Sequence, residues 1–166
     1  MRGLQVIIIG CGRVGAELAV NLEREGHGVT VVERDRLAME RLPEAFAGRT
    51  VLGTGIDDEI LRRAGVETAD ALIAVTNYDN TNVVAAQMAK EKYKVKRVLA
   101  RVFDPKMQEI YQEFGLETIC PTLITVRLIE DALIRAPGAA GGPGATGGPG
   151  AAGAGAPGAS ASGKGA

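Results

Sequence analysis

Residues 6–15, Val-Ile-Ile-Ile-Gly-Cys-Gly-Arg-Val-Gly, constrain this chain more than any other stretch. Four branched apolar residues in a row read as a strand buried on both faces. Three glycines spaced G-x-G-x-x-G follow it, and a helical pattern opens at Arg13. Val14, Leu18 and Leu22 form one stripe of that helix, and Gly26 stops it. A strand that passes through a glycine turn straight into a helix is the first half of a βαβ unit.

The rest of the chain repeats this alternation. Strands are expected at 4–9, 29–32, 50–52, 71–75, 97–102 and 117–120. Helices are expected at 13–25, 36–46, 57–64, 80–91, 105–114 and 123–135, with Asp104-Pro105 as a clean helix start. Alternating strands and helices on short connections imply a parallel sheet with right-handed crossovers. The expected fold is therefore α/β, a Rossmann-type doubly wound six-stranded sheet in the order 3-2-1-4-5-6. A C-terminal crossover helix completes it, and its ligand crevice lies between strands one and four.

Composition divides the chain. Residues 137–166 hold 12 of the 23 glycines, 4 of the 7 prolines and a single charge, Lys164. The expected domain is 1–136, followed by a disordered Gly/Ala/Pro-rich tail at 137–166. Glycine recurs at every third position from Gly138 to Gly153, but two prolines in six triplets are too few for a triple helix. A flexible linker is the expectation. The domain carries 18 basic and 20 acidic residues with no basic block, and the chain has no Trp. Nucleic acid is therefore not an expected partner. Cys11 and Cys120 lack metal-ligand spacing and read as buried thiols in a reducing compartment. With no leader and no long apolar run, the expectation is a soluble cytoplasmic protein.

Each glycine of the loop has its own task. Gly10 makes the turn, Gly12 lets a diphosphate approach the backbone, and Gly15 lets the helix pack on the strand. Cys11, Arg13 and Val14 complete the loop, with free N–H groups facing an anion and Arg13 adding charge. Glu33, 18 residues after Gly15 at the tip of strand two, is placed to accept ribose hydroxyls. Its charge disfavours a 2′-phosphate and so favours NAD or an adenosine nucleotide, while the adjacent Arg34 leaves NADP open. Gly53, Thr54 and Gly55 after strand three, Thr76 and Asn77 after strand four, and Arg101 at the end of strand five also fall at the ligand edge. Each has a bland alternative: turn glycines, a helix cap at Asn77 or Asp79, a surface ion pair at Arg101. The only histidine, His27, enters strand two at the opposite end of the sheet. No catalytic residue is expected, nor a second domain within this chain that could cover a cofactor. A small NAD-dependent oxidoreductase remains the alternative to a binding module.

The stretches IIIGCGRVGAELA, GHGVTVVERD, GTGIDDEILRRAGVETADALIAVTNYDNTNVVAAQMAK, RVLARVFDP and LETICP together resemble one family. It is the TrkA-N, or RCK (regulator of potassium conductance), domain of cytosolic subunits that gate potassium channels and transporters. The resemblance implies a domain that binds NAD(H), ATP or ADP as a signal. It implies binding roles for Gly10, Gly12, Arg13, Gly15, Glu33, Thr54, Thr76, Asn77 and Arg101. It also implies homodimers built into a ring beneath a membrane potassium channel or transporter, and a location at the inner face of the cell membrane. Glu33 stands where the family often has Asp. Thr122 follows Pro121 where some members carry an acid that holds a divalent cation, so no metal site is expected. Many relatives continue into a second ligand domain. The last helix carries apolar residues on both sides, which calls for more than one packing partner; in relatives it crosses to the neighbouring subunit, and the bland alternative is that it finishes its own chain's core.

Overall fold

The computed structural model describes residues 3–134. The Gly/Ala/Pro-rich tail at 137–166 lies outside the described residues. Six strands, β1 (Gln5–Ile9), β2 (Gly28–Glu33), β3 (Arg49–Leu52), β4 (Ala71–Ala74), β5 (Arg97–Arg101) and β6 (Glu117–Ile119), form one sheet. Every pairing is parallel, and the order is β3-β2-β1-β4-β5-β6, as the alternation requires. β1 sits at the centre, with Val6 opposite both Val29 of β2 and Ala71 of β4.

The apolar run of β1 is explained by burial on both faces. Ile7 and Ile9 belong to one core with Leu61, Leu72 and Val83; Val6 and Ile8 belong to another with Ala16, Ala19 and Val31. Side chains alternate along a strand, so a strand covered on both sides must be apolar at every position. Helix α1 (Arg13–Arg24) packs on the second core. Helices α3 (Asp58–Ala64), α4 (Asp79–Gln87) and α5 (Pro105–Glu113) cover the first.

Two helices depart from the sequence expectation. The segment read as a helix over 36–46 is helical only at α2 (Arg36–Met39). Pro43 disfavours helical backbone at Leu42. Leu42 and Phe46, which suggested the helix, still pack on the core, but from a loop. The helix expected at 80–91 starts at Asp79 and widens into a π-turn at Met88–Lys92. That turn presents Lys92 and Tyr93 to Asp58 at the head of α3. Lys92 Nζ lies 2.5 Å from Asp58 Oδ1, and the Tyr93 hydroxyl donates to the same oxygen. These contacts hold the Asp58 carboxyl below its ordinary value, the Lys92 bond contributing most.

Helix ends follow local chemistry. Asp35, Asp57 and Asp104 cap α2, α3 and α5 by accepting backbone N–H groups of the first turn. Helix α1 has no side-chain cap. The last helix, α6 (Pro121–Ile134), buries none of its residues. Ile124, Leu128 and Ile129 are about half exposed, and Leu133 and Ile134 more so. It therefore does not finish its own chain's core.

Candidate functional site

The carboxyl ends of β1, β2, β3 and β4 enclose a crevice of about 250 Å³. It lies where the sheet order reverses, which is where ligands enter sheets of this kind. Its floor is Gly10 and Gly12. Gly10 has φ +104°, a conformation that L side chains rarely adopt, and a Cβ there would press on the Thr76 backbone. Gly15 is held to glycine by proximity, since a Cβ would stand 1.9 Å from the Gly10 carbonyl oxygen. Gly12 differs from both. A Cβ there would meet nothing within 4 Å. The protein's own packing does not require a glycine at that position.

Above this floor, among the described residues, the backbone N–H groups of Gly12, Arg13, Val14 and Gly15 have no acceptor. These are the four orphan donors that every helix start leaves. The fifth donor of the loop, Cys11 N–H, is used: it donates to Glu33 Oε2 at 2.7 Å. Glu33 Oε1 accepts from Arg34 and Asp35 N–H at 2.8 and 3.0 Å. Three of the roughly four acceptor positions of the carboxylate are thus filled by backbone. The group is fixed in orientation, with room for one further donor. Burial pushes the Cys11 thiol up, Glu33 adds to this, and Arg41 opposes it.

Of the residues expected at the site, Gly10, Gly12, Glu33, Arg34, Gly53, Thr54, Gly55, Thr76 and Asn77 line the crevice. Cys11 is fully buried beneath it, while Arg13 and Val14 are exposed at the head of α1. Arg101 turns elsewhere. Its guanidinium donates to the carbonyls of Val75 and Thr76, reaches Asn77 Oδ1 at 3.2 Å and lies over the Phe103 ring. Burial lowers its pKa and Asp79 opposes this, yet a guanidinium stays charged. Arg101 therefore braces the loop after β4, and among the described residues it forms no ion pair. Asp79 does not cap α4. Its carboxylate accepts Phe103 N–H at 2.9 Å and Asp104 N–H at 3.3 Å.

Sequence reasoning missed Arg41 and Tyr78, which also line the crevice. Tyr78 lies under Arg34, whose guanidinium carbon is 4.7 Å from the ring centre. It also missed Asn82, which is wholly buried in the first turn of α4. Asn82 Oδ1 accepts the N–H and hydroxyl of Thr76 at 2.8 and 2.7 Å. Its Nδ2 donates to the carbonyls of Thr76 and Arg101, both at 2.9 Å. An Asn three residues after an Asp at a helix start was the available signal. His27 stands at the other end of the sheet and accepts Leu4 N–H. Among the described residues, no group of three or more His, Cys, Asp or Glu is placed to hold a metal. None of the described helices is long and apolar enough to cross a membrane.

A parallel sheet in this order, with a glycine turn under its reversal point, defines a Rossmann-type domain. The chain belongs to the TrkA-N domain family, whose model matches residues 6–121. It is 45% identical over 132 residues to a Trk system potassium uptake protein TrkA of Streptomyces coelicolor, a match covering 80% of this chain. The chain spans 57% of that relative's length. The TrkA-N domain of the Escherichia coli inner membrane protein YbaL superposes with a TM-score of 0.70 at 23% identity, covering 79% of this chain and 97% of that one. The GsuK channel, solved bound to NAD, has a TM-score of 0.68 at 22% identity, covering 80% of this chain and 24% of that one. GsuK has also been solved bound to ADP. These structural likenesses establish the fold.

Proposed function

We propose that this domain, residues 1–136, is the nucleotide-sensing part of a potassium uptake system. Its ligand is an adenine nucleotide, NAD(H), ATP or ADP. One observation carries the reading: four unpartnered amides at the head of α1 begin at Gly12, which lines the same crevice as an oriented carboxylate and whose missing Cβ leaves open space. Amides at a helix start attract phosphate through hydrogen bonds and the helix dipole. Glu33 keeps one acceptor position for a ribose hydroxyl. Gly10, Cys11, Gly12, Arg13, Val14 and Gly15 form the phosphate loop, with Arg13 and Arg41 adding positive charge. Arg34, Gly53, Thr54 and Gly55 flank the adenosine end, and Thr76 and Asn77 the other. Arg101 acts by bracing the β4 loop.

The domain works as a binding module, without turnover. The one histidine lies across the sheet from the crevice, and the Trk relatives' names support a role in potassium uptake. The partner is a membrane potassium channel or transporter, which places this chain in the cytoplasm against the membrane's inner face. The uncovered apolar sides of α6 support a homodimer, built further into a ring. A nucleotide that prefers one state of that assembly shifts it by its differential affinity.

The test pairs a protein change with a ligand change. Glu33→Ala should weaken ADP, whereas 2′,3′-dideoxy-ADP should bind both proteins equally weakly. A loss of the same size for both ligands would refute the ribose assignment. Substrate-dependent oxidation of NADH would favour the oxidoreductase reading.

A further inference from the structure

Hydrogen bonds, one cation–π contact and the short chain segment 76–79 together lead from the crevice to the helix that buries nothing. The run begins at Thr76, a crevice residue. Asn82 holds Thr76 by its N–H, hydroxyl and carbonyl, and ties it to the Arg101 carbonyl. From the other side, the Arg101 guanidinium holds the Thr76 carbonyl, and its central carbon lies 4.7 Å from the Phe103 ring centre. Asp79, three residues beyond Thr76, accepts the Phe103 N–H. The Phe103 carbonyl then accepts the Thr122 hydroxyl at 2.8 Å, in the first turn of α6.

Both ends of this run are informative. Asn82 is fully buried, with all its hydrogen-bonding capacity spent on the loop after β4 and the last residue of β5, so those two segments move together or the amide is left unpaired. At the far end, α6 has no buried residue. Its attachments to the domain are the chain at Cys120–Pro121, half-buried Pro121 and Leu123, and the Thr122 hydroxyl, which shares the Phe103 carbonyl with the Cys120 thiol. A small displacement of Phe103 therefore changes how α6 leaves the sheet.

We infer that Asn82 and Thr122 are positioning residues that couple occupancy of the crevice to the setting of α6. The inference rests on the nucleotide-binding reading and adds its regulation. A nucleotide touching Thr76 and Asn77 favours the ordered run and thereby the tethered position of α6. Linkage requires the reverse as well: releasing Thr122 must weaken the nucleotide. Thr122 does not line the crevice, so a change in affinity on its substitution reports coupling and not lost contact.

Two measurements on the full chain test this. In the first, ADP is titrated into wild type, Thr122→Val and Thr122→Ser. Valine keeps the shape and removes the donor; serine keeps the donor. Thr122→Val should weaken ADP about two- to tenfold, the range one net hydrogen bond spans, and Thr122→Ser should restore wild-type affinity. Unchanged or tighter binding by Thr122→Val, or a serine variant as weak as the valine one, would overturn the inference. The second is amide hydrogen exchange without ligand, which decides the matter even if wild type binds no ADP. Thr122→Val should speed exchange at Thr76 N–H as well as at Phe103 N–H. Faster exchange confined to residues 103–104 would overturn the coupling while leaving the nucleotide reading intact. Absence of ADP binding by wild type would instead remove the reading on which the regulation rests.

Discussion

Gly12 and Gly15 lie three residues apart in one motif, yet the structure gives them opposite sensitivities. A Cβ on Gly15 would stand 1.9 Å from the Gly10 oxygen and 3.0 Å from its carbonyl carbon. Backbone cannot yield as a side chain can, so Gly15→Ala should cost about 1–3 kcal/mol in overpacking. In a domain of this size that lowers Tm by roughly 3–12 °C. A Cβ on Gly12 meets open space, and Gly12 has φ −75° and ψ −172°, ordinary for any residue. Alanine there restricts the unfolded chain, a gain of about 0.4–1 kcal/mol, and gives up about 0.5–1 kcal/mol as a poorer cap. The net effect on Tm should be within about 2 °C. The cost of Gly12→Ala appears in binding, because its methyl fills the space through which a phosphate reaches the amides. Losing one hydrogen bond to a charged group, about 1.5–3 kcal/mol, weakens the ligand roughly ten- to a hundredfold. Scanning fluorimetry without ligand and calorimetric titration with ADP measure the two effects separately. Wild-type ADP affinity in Gly12→Ala, or a Tm as low as that of Gly15→Ala, would refute the reasoning.

Other outcomes follow from the same geometry. Glu33→Ala leaves the Cys11, Arg34 and Asp35 amides without their acceptor; it should lower stability by about 1–3 kcal/mol even without ligand, readable by urea denaturation. The Asp58 carboxyl is held below its ordinary value of 3.8, so its contribution is complete above that pH and fades as pH falls through the depressed folded value. Asp58→Asn should therefore destabilise the protein at neutral pH and converge with wild type in strong acid, as followed by circular dichroism. Replacing exposed Leu128 and Ile129 of α6 by Ser should shift sedimentation toward monomer while leaving Tm nearly unchanged, because neither is buried in its own chain.

The fold was legible because its signals are local and repeated. The branched run of β1, the glycine turn and the Asp104-Pro105 helix start each state their element within a few residues, and the alternation then leaves one topology. The second helix misled because Leu42 and Phe46 do reach the core, but they reach it from a loop in which Pro43 disfavours helical backbone. The π-turn at Met88–Lys92 left no signal, since the contacts of Lys92 and Tyr93 with Asp58 that accompany it are tertiary. At the crevice, the glycine loop and Glu33 could be read from spacing. Arg41 and Tyr78 could not, because loops deliver them and loop paths depend on packing. Asn82 was hidden by its own chemistry, since a polar residue on a helix reads as solvent-facing until its partners are seen. Arg101 fell at the expected strand end, but rotamer choice turned its charge toward carbonyls of the neighbouring loop.

The central claim is that the free amides at the head of α1 receive the phosphates. Backbone amide NMR during titration with ADP examines it residue by residue. The account predicts saturable downfield shifts that are largest at Gly12, Arg13, Val14 and Gly15. No shift with ADP, ATP, NAD or NADH, or shifts concentrated at the opposite end of the sheet around Gly28 and Gly48, would contradict it.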